Sequence, residues 1–386
     1  MKVLIINSHT LYLKSTLPVA IAMLKMGWDV TFSREKFRLL DFWKKKKFHS
    51  YILNNPTSVE IINEEATSYV ARIIGQEEEW NEYKSKVSYS FFAVLNQKKF
   101  DIVLATIKNR NQVINRKNVI LLGYEHLPIL GRFASGSIDN YVNRKTIFFS
   151  DNQFTLDHQF SEIFKNLNIS LLTFPWLDKV IQTFDKRNRP KIKKKVLIFH
   201  PGGYRNVLSS PGDDKKICYA SQENFLEKIC IPLIDQGFDP IIKVHPLRAI
   251  YHDKDDLDLL TAKFNSKYRN KIEILSADSW HWDHAYDSKF ILTFGSSSIY
   301  DLWSAGIKNV FICNFFGEDR SKRFNYFDSV FINSHDDYIE LVQKFANGKK
   351  IVFDQFTNKV MHSYSSICNG DSIPMIISEI QSTELN

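Results

Sequence analysis

Residues 290–312 read FILTFGSSSIYDLWSAGIKNVFI. An apolar run leads through Gly295 and three serines into apolar residues at helical spacing, then through Gly306 into a second apolar run. The pattern predicts a strand at Phe290–Phe294, a helix opening near Ile299 and ending at Gly306, and a second strand at Val310–Asn314. Apolar strands alternating with helices belong to a parallel sheet covered on both faces. Ligands of such sheets bind just past the carboxyl ends of the strands, where Ser296, Ser297 and Ser298 fall. Their hydroxyls, with the unsatisfied N–H groups of the helix start, suit an anion. Ordinary capping is the other reading, and it accounts for one serine better than for three in a row.

The alternation extends outward from this segment. Strands are expected at Val196–Phe199, Asp239–Val244 and Lys271–Leu275, with a helix over Ser221–Gln236. An earlier array starts with a strand at Val3–Asn7, a helix at Leu17–Met26 and a strand at Asp29–Ser33. It continues with a long polar helix around 62–96 and strands at Asp101–Thr106, Val119–Gly123 and Thr146–Ser150. Between the arrays, Asn188–Lys195 holds Pro190 and a cluster of basic residues and reads as a linker. A chain of 386 residues is too long for one core. The expectation is an α/β protein of two Rossmann-like domains, 1–187 and 188–386, facing one cleft, with the last helix free to return to the N-terminal domain.

The formal net charge is +8, densest at Lys44–Lys47 and Lys193–Lys195. A solvated lysine surface explains this, as does attraction to anionic lipid or a phosphorylated substrate. Nucleic acid is disfavoured, because the basic runs lack an interleaved aromatic or helix-turn-helix setting. The opening MKVLIINSHT holds a strand-length apolar run, shorter than a signal-peptide core, and no stretch reaches the roughly 18 apolar residues of a membrane span. A cytoplasmic protein is expected, with room for peripheral contact at the inner face of the plasma membrane. Cys218, Cys230, Cys313 and Cys368 lack metal-ligand spacing and read as reduced thiols.

Two more strand ends carry polar residues. After 196–199 comes His200-Pro201-Gly202-Gly203-Tyr204-Arg205-Asn206. Gly202 and Gly203 let backbone N–H groups approach an anion, and Arg205 can fork onto phosphate or carboxylate. A plain glycine turn is the alternative. After 239–244 comes His245-Pro246, where the imidazole can donate to a phosphate oxygen and the proline ends the strand.

The ordered set IIKVHPL and TFGSSSIYDLWSAGIKNVFI resembles the C-terminal half of GT-B-fold transferases that carry a His-Pro and a Ser-Ser motif. Bacterial sialyltransferases, Kdo (3-deoxy-manno-octulosonic acid) transferases and CDP-glycerol glycerophosphotransferases are such families. The resemblance covers about residues 196–315 in motif order. It implies that His245 and Ser296–Ser298 grip the phosphate of a CMP- or CDP-linked donor, in a reaction that needs no cofactor and no metal.

In that fold the N-terminal domain holds the acceptor and supplies a base. Glu125, beside His126 in GYEHLPILG, is the first candidate and Asp151 in FFSDNQ the second. Ser8, His9 and Thr10, after the opening strand, should face the cleft, where His9 and Thr10 contact the acceptor with His126. Asp213 and Asp214 close the glycine loop. They suit either a nucleophile on the donor sugar, as in some Kdo transferases, or a solvated acidic turn. His281, Asp283 and His284 share a helical spacing without completing a metal site, and neighbouring Trp280 and Trp282 suggest packing or a place near the nucleotide base. No GxSxG, Walker lysine loop or GxGxxG follows the first strand.

The resulting expectation is a glycosyltransferase of surface-polysaccharide or lipopolysaccharide assembly, moving an ulosonate of Kdo or sialic-acid type from CMP to a saccharide or lipid-linked saccharide. A CDP-glycerol-type phosphotransferase or nucleotide-sugar epimerase is the rival of the same fold. A non-catalytic module binding anionic glycan or lipid is the rival of another class.

Overall fold

The structure, a computed structural model, describes residues 1–7, 13–34, 62–90, 93–106, 118–122, 145–149, 169–172, 174–184, 194–200, 223–244, 257–258, 261–263, 266–294, 298–315, 328–367 and 370–384. The chain divides into two compact units, Met1–Phe184 with Ser366–Asn386, and Asp185–Ser365.

The first unit is built on β1 (Lys2–Ile6), β2 (Asp29–Ser33), β3 (Ser88–Ser90), β4 (Ile102–Thr106), β5 (Val119–Leu122), β6 (Lys145–Phe149) and β7 (Ile169–Leu172). All pair in parallel, in the order β3-β2-β1-β4-β5-β6-β7. Val3, Leu4, Ile5 and Ile6 are wholly shielded from solvent, as a central strand covered on both faces requires. Helix α1 (Leu13–Lys25) connects β1 to β2.

The long polar helix expected around 62–96 does not form. Its place is taken by α2 (Glu64–Ile73), α3 (Glu77–Tyr83) and the edge strand β3. Asn63 caps α2 by accepting the Ala66 N–H at 2.8 Å. Gly75, at φ 70°, ends it through the left-handed region, where the Gln76 N–H reaches the Ala71 carbonyl at 2.8 Å.

The C-terminal helix of this unit is tied down by a short helix, α4 (Asp178–Thr183). The Asp178 carboxylate is 2% exposed, accepts the Ser372 hydroxyl at 2.6 Å and the Ile373 N–H at 3.0 Å, and so stands in for a cap at the far end of the chain. Lys145 on β6 pairs with Glu379 at 2.6 Å.

The second unit carries β8 (Lys195–Phe199), β9 (Asp239–Lys243), β10 (Glu273–Leu275), β11 (Phe290–Thr293), β12 (Val310–Cys313) and β13 (Phe331–Ile332), parallel, in the order β10-β9-β8-β11-β12-β13. Counted from its own first strand this is 3-2-1-4-5-6, the doubly wound order of a Rossmann sheet. Between and after the strands lie α5 (Ile231–Asp235), α6 (Ser266–Arg269), α7 (Trp282–Asp287), α8 (Ser298–Ser304), α9 (His335–Ala346) and α10 (Gln355–Ile367). The last helix of the chain is α11 (Ser372–Glu384), the one that Asp178 caps; it packs on α1 and β7 in the first unit. Gly306, at φ 80°, ends α8 as expected, with the Ile307 N–H on the Leu302 carbonyl at 2.9 Å.

Ahead of α5 the helix widens into a π turn over Leu226–Cys230. Pro232 has no N–H and crowds the carbonyl four residues earlier, that of Lys228. That carbonyl is taken instead by His335 Nε2 at 3.1 Å, and the Ile229 carbonyl accepts the buried Tyr338 hydroxyl at 2.6 Å. Helix α9 thus repairs the break that the proline makes.

Cys230 and Cys313 are buried free thiols, and burial pushes both pKa values up. Among the described residues no helix is long and apolar enough to cross a membrane.

Candidate functional site

Three of the segments singled out above leave neighbouring strands. His200 and the residues after it follow β8, His245 and Pro246 follow β9, and Gly295–Ser297 follow β11; β9, β8 and β11 are adjacent in the sheet. The chain crosses from the β9 side of β8 to the β11 side, so β8/β11 is the point where the strand order reverses and a crevice opens at the carboxyl ends.

The described strand ends meet around Phe225. Its ring stands edge-on to His200 at 4.9 Å and to Phe294 at 5.7 Å, joining the exits of β8 and β11. His200 is buried, and its N–H donates to the Lys243 carbonyl at 2.9 Å, which ties the exits of β8 and β9. Ser298 opens α8 and is half-buried.

Lys243 is the functional candidate that motif reading missed. It ends β9 in register with Phe199 and is 2% exposed. Its ammonium donates to the Ser276 carbonyl at 2.8 Å and the Ala277 carbonyl at 2.5 Å, drawing the loop after β10 under the sheet's carboxyl end. Burial pushes its pKa down to about 8, against the pull of Asp278 upward. An ammonium has three N–H donors, and these two carbonyls occupy two. The signal in the sequence is a lysine inside an otherwise apolar strand, PIIKV, immediately before His245.

His281 belongs to the same neighbourhood and does not sit as a metal ligand would. Its ring is edge-on to Phe199 and stacked on Trp282, with 5.2 Å between centroids in each pair. Burial first, and the Lys243 charge second, push its pKa down to about 3, so the imidazole is neutral at pH 7. His284 approaches Glu273 at 3.9 Å, and Trp282 is itself buried. Among the described residues no three His, Cys, Asp or Glu side chains group as a metal site would require.

The remaining candidates, His9, Thr10, Glu125, His126, Asp151, Gly202, Gly203, Arg205, Asp213, Asp214, His245, Pro246, Ser296 and Ser297, lie outside the described residues, as does Ser8. Their strands are described: His9 and Thr10 follow β1, Glu125 and His126 follow β5, and Asp151 follows β6.

No protein-family model and no curated protein matches the sequence. Solved structures do. A putative UDP-N-acetylglucosamine 2-epimerase from Listeria monocytogenes is similar over 99% of this chain and 96% of that chain, with 13% identity and a TM-score of 0.51. The wall teichoic acid polymerase TagF has 12% identity and a TM-score of 0.49 over 100% of this chain and 89% of that chain. Phytolacca americana UGT2, complexed with UDP-2fluoro-glucose and pterostilbene, has 11% identity and the same score over 100% of both chains. At such identities a likeness speaks for fold alone. With two parallel doubly wound sheets in one chain and the epimerase match over nearly its whole length, the protein has the GT-B fold of two Rossmann-like units.

Proposed function

We propose that this chain is a glycosyltransferase of surface-polysaccharide or lipopolysaccharide assembly that moves an ulosonate, of Kdo or sialic-acid type, from CMP to a saccharide acceptor. One observation carries the reading. The glycine-arginine, His-Pro and triple-serine segments leave three adjacent parallel strands on both sides of a strand-order switch. In the reaction, the bond between the anomeric carbon and the CMP phosphate oxygen breaks and the acceptor oxygen bonds to that carbon. The acceptor proton passes to Glu125 or Asp151, and CMP leaves with its charge held by His245 and Ser296–Ser298. Arg205 suits the ulosonate carboxylate. Buried Lys243 adds a positive charge beside the His245 segment, in a medium where charge is weakly screened. A retaining course would use Asp213 or Asp214 as nucleophile.

A nucleotide-sugar epimerase or CDP-glycerol-type phosphotransferase is the second reading, favoured by the overlap with the putative UDP-N-acetylglucosamine 2-epimerase. Thermal unfolding with CMP-Kdo, CMP-sialic acid, CDP-glycerol and UDP-N-acetylglucosamine separates the two, because the ligand that binds the native state raises the midpoint. A CMP-ulosonate is expected to protect, and His245→Ala to weaken that affinity by roughly ten- to a hundredfold with little change in the ligand-free midpoint. Protection by UDP-N-acetylglucosamine or CDP-glycerol alone moves the assignment to the second reading. No protection by any nucleotide, or protection that survives His245→Ala with Ser297→Ala, makes the chain a non-catalytic binding module.

A further inference from the structure

We propose that Asn7 is a ligand contact in the first unit, its side-chain amide held by Thr16 so that the amide oxygen receives a hydrogen bond from a neutral saccharide hydroxyl.

β1 leads through α1 to β2 on one side, while β4 lies on the other, so β1/β4 is the strand-order switch of this sheet. Asn7 stands one residue past Ile6, whose register partner is Ala105, and Thr106 ends β4 beside it. The four residues before Asn7 are apolar and wholly shielded, and Asn7 itself is 1% exposed. An apolar side chain would continue the run before it; an amide is buried instead.

One end of the amide is answered. Nδ2 donates to the Thr16 hydroxyl at 2.9 Å, from a wholly buried residue in the first turn of α1. The other end is not: Oδ1 is buried and meets no hydrogen-bond partner among the described residues. Roughly nine in ten buried polar groups are paired, so an orphan at the carboxyl end of a sheet points to a partner that comes and goes.

The chemistry of the place selects that partner. Oδ1 carries partial negative charge and only accepts, so it disfavours a bare phosphate or carboxylate. A hydroxyl can donate to Oδ1 and itself carries no charge. The proposed function enters only in naming a saccharide acceptor as the hydroxyl's owner.

Saturation-transfer NMR on the full chain with glucose, N-acetylglucosamine, lactose and glucose 6-phosphate tests this. Neutral sugars are expected to bind the wild type, about tenfold more weakly to Asn7→Ala, and by a smaller factor more weakly to Thr16→Val, which keeps the shape and drops the orienting hydroxyl. Unchanged melting midpoints establish that the variants fold; should Asn7→Ala melt early, Thr16→Val decides alone. Equal binding to wild type and Thr16→Val, preference for glucose 6-phosphate, or no neutral sugar bound overturns the inference. The nucleotide panel reads separately: sugar binding without nucleotide protection supports this contact while removing the proposed donor.

Discussion

The two units share one strand order around their first strand, 3-2-1-4, and end those strands in different chemistry. In the first, β1 and β4 are followed or closed by Asn7 and Thr106, buried and uncharged. In the second, the equivalent strands β8 and β11 are followed or closed by buried His200 and Thr293, while β9 closes on buried Lys243 where its counterpart β2 closes on buried Ser33. A buried ammonium is costly unless something negative shares its place, whereas a buried amide needs only a hydrogen bond. The same strand position therefore closes on a neutral residue in one unit and on a buried cation in the other. That contrast accords with the proposed reading, in which hydroxyls are read by the first unit and phosphate by the second.

The largest expected effect breaks or sharpens that division directly. If the first unit supplies the base, Glu125→Gln lowers transfer by roughly a hundred- to ten-thousandfold, the range of a lost general base, and leaves nucleotide protection intact. Steady-state transfer and thermal shift on the same preparation read the two halves separately. Unimpaired turnover removes Glu125 from the chemistry and passes the role to Asp151.

The charge of the second unit's strand end has a pH signature. The folded pKa of Lys243 lies near 8 against 10.5 for the free side chain. Below 8 the folded and unfolded states both hold the proton and the desolvation penalty is complete. Between about 8 and 10.5 the unfolded chain holds more proton than the folded one, so stability from this group rises with pH. A shift of this size is worth up to roughly 3 kcal/mol. Half-buried Tyr89, pushed up to about 12, opposes it above pH 10 by favouring an unfolded state that ionises first. Subtracting the urea unfolding curves of Lys243→Met from wild type at pH 7.5, 8.5 and 9.5 removes that background. A flat difference would mean that Lys243 is not desolvated and that the contrast between the strand ends fails.

How far the sequence disclosed this follows from the same physics. Strands such as β1, β4 and β11 are buried on both faces and so are written as apolar runs, legible by eye. β3, β7 and β13 are short and have no such long run; SYS, ISLL and FI do not stand out from their surroundings. The 62–96 region reads as one helix because its polar helical composition runs through the break that Gly75 makes in the left-handed region. The π turn had a visible cause in Pro232, but its repair by His335 and Tyr338 comes from more than a hundred residues downstream. Among candidate site residues, motif reading singled out loops that lie mostly outside the described residues and passed over Asn7 and Lys243. Each is one polar residue at the end of an apolar run, and only burial and partners reveal that it is more than the strand's last position.

The smallest expected effect concerns how the first unit is closed. Asp178 keeps α11 on this unit through the Ser372 hydroxyl and the Ile373 N–H. Burial raises its pKa, and the hydrogen bonds from Ser372 and Ile373, which lower it, do not cancel that rise. Asp178→Ala leaves the Ile373 donor unanswered, for about 1–2 kcal/mol, the usual worth of a lost cap. Asp178→Asn keeps an acceptor and removes the titration. Because the folded acid holds its proton more tightly than the unfolded one, this group's contribution falls as pH rises through the unfolded value of 3.8 and on to the raised folded one. Wild type should therefore lose stability relative to Asp178→Asn over that interval and keep a constant difference above it. If instead the difference grows in favour of wild type as pH rises, the carboxylate is stabilised in its charged form, and the cap holds α11 by charge rather than by hydrogen bonding alone.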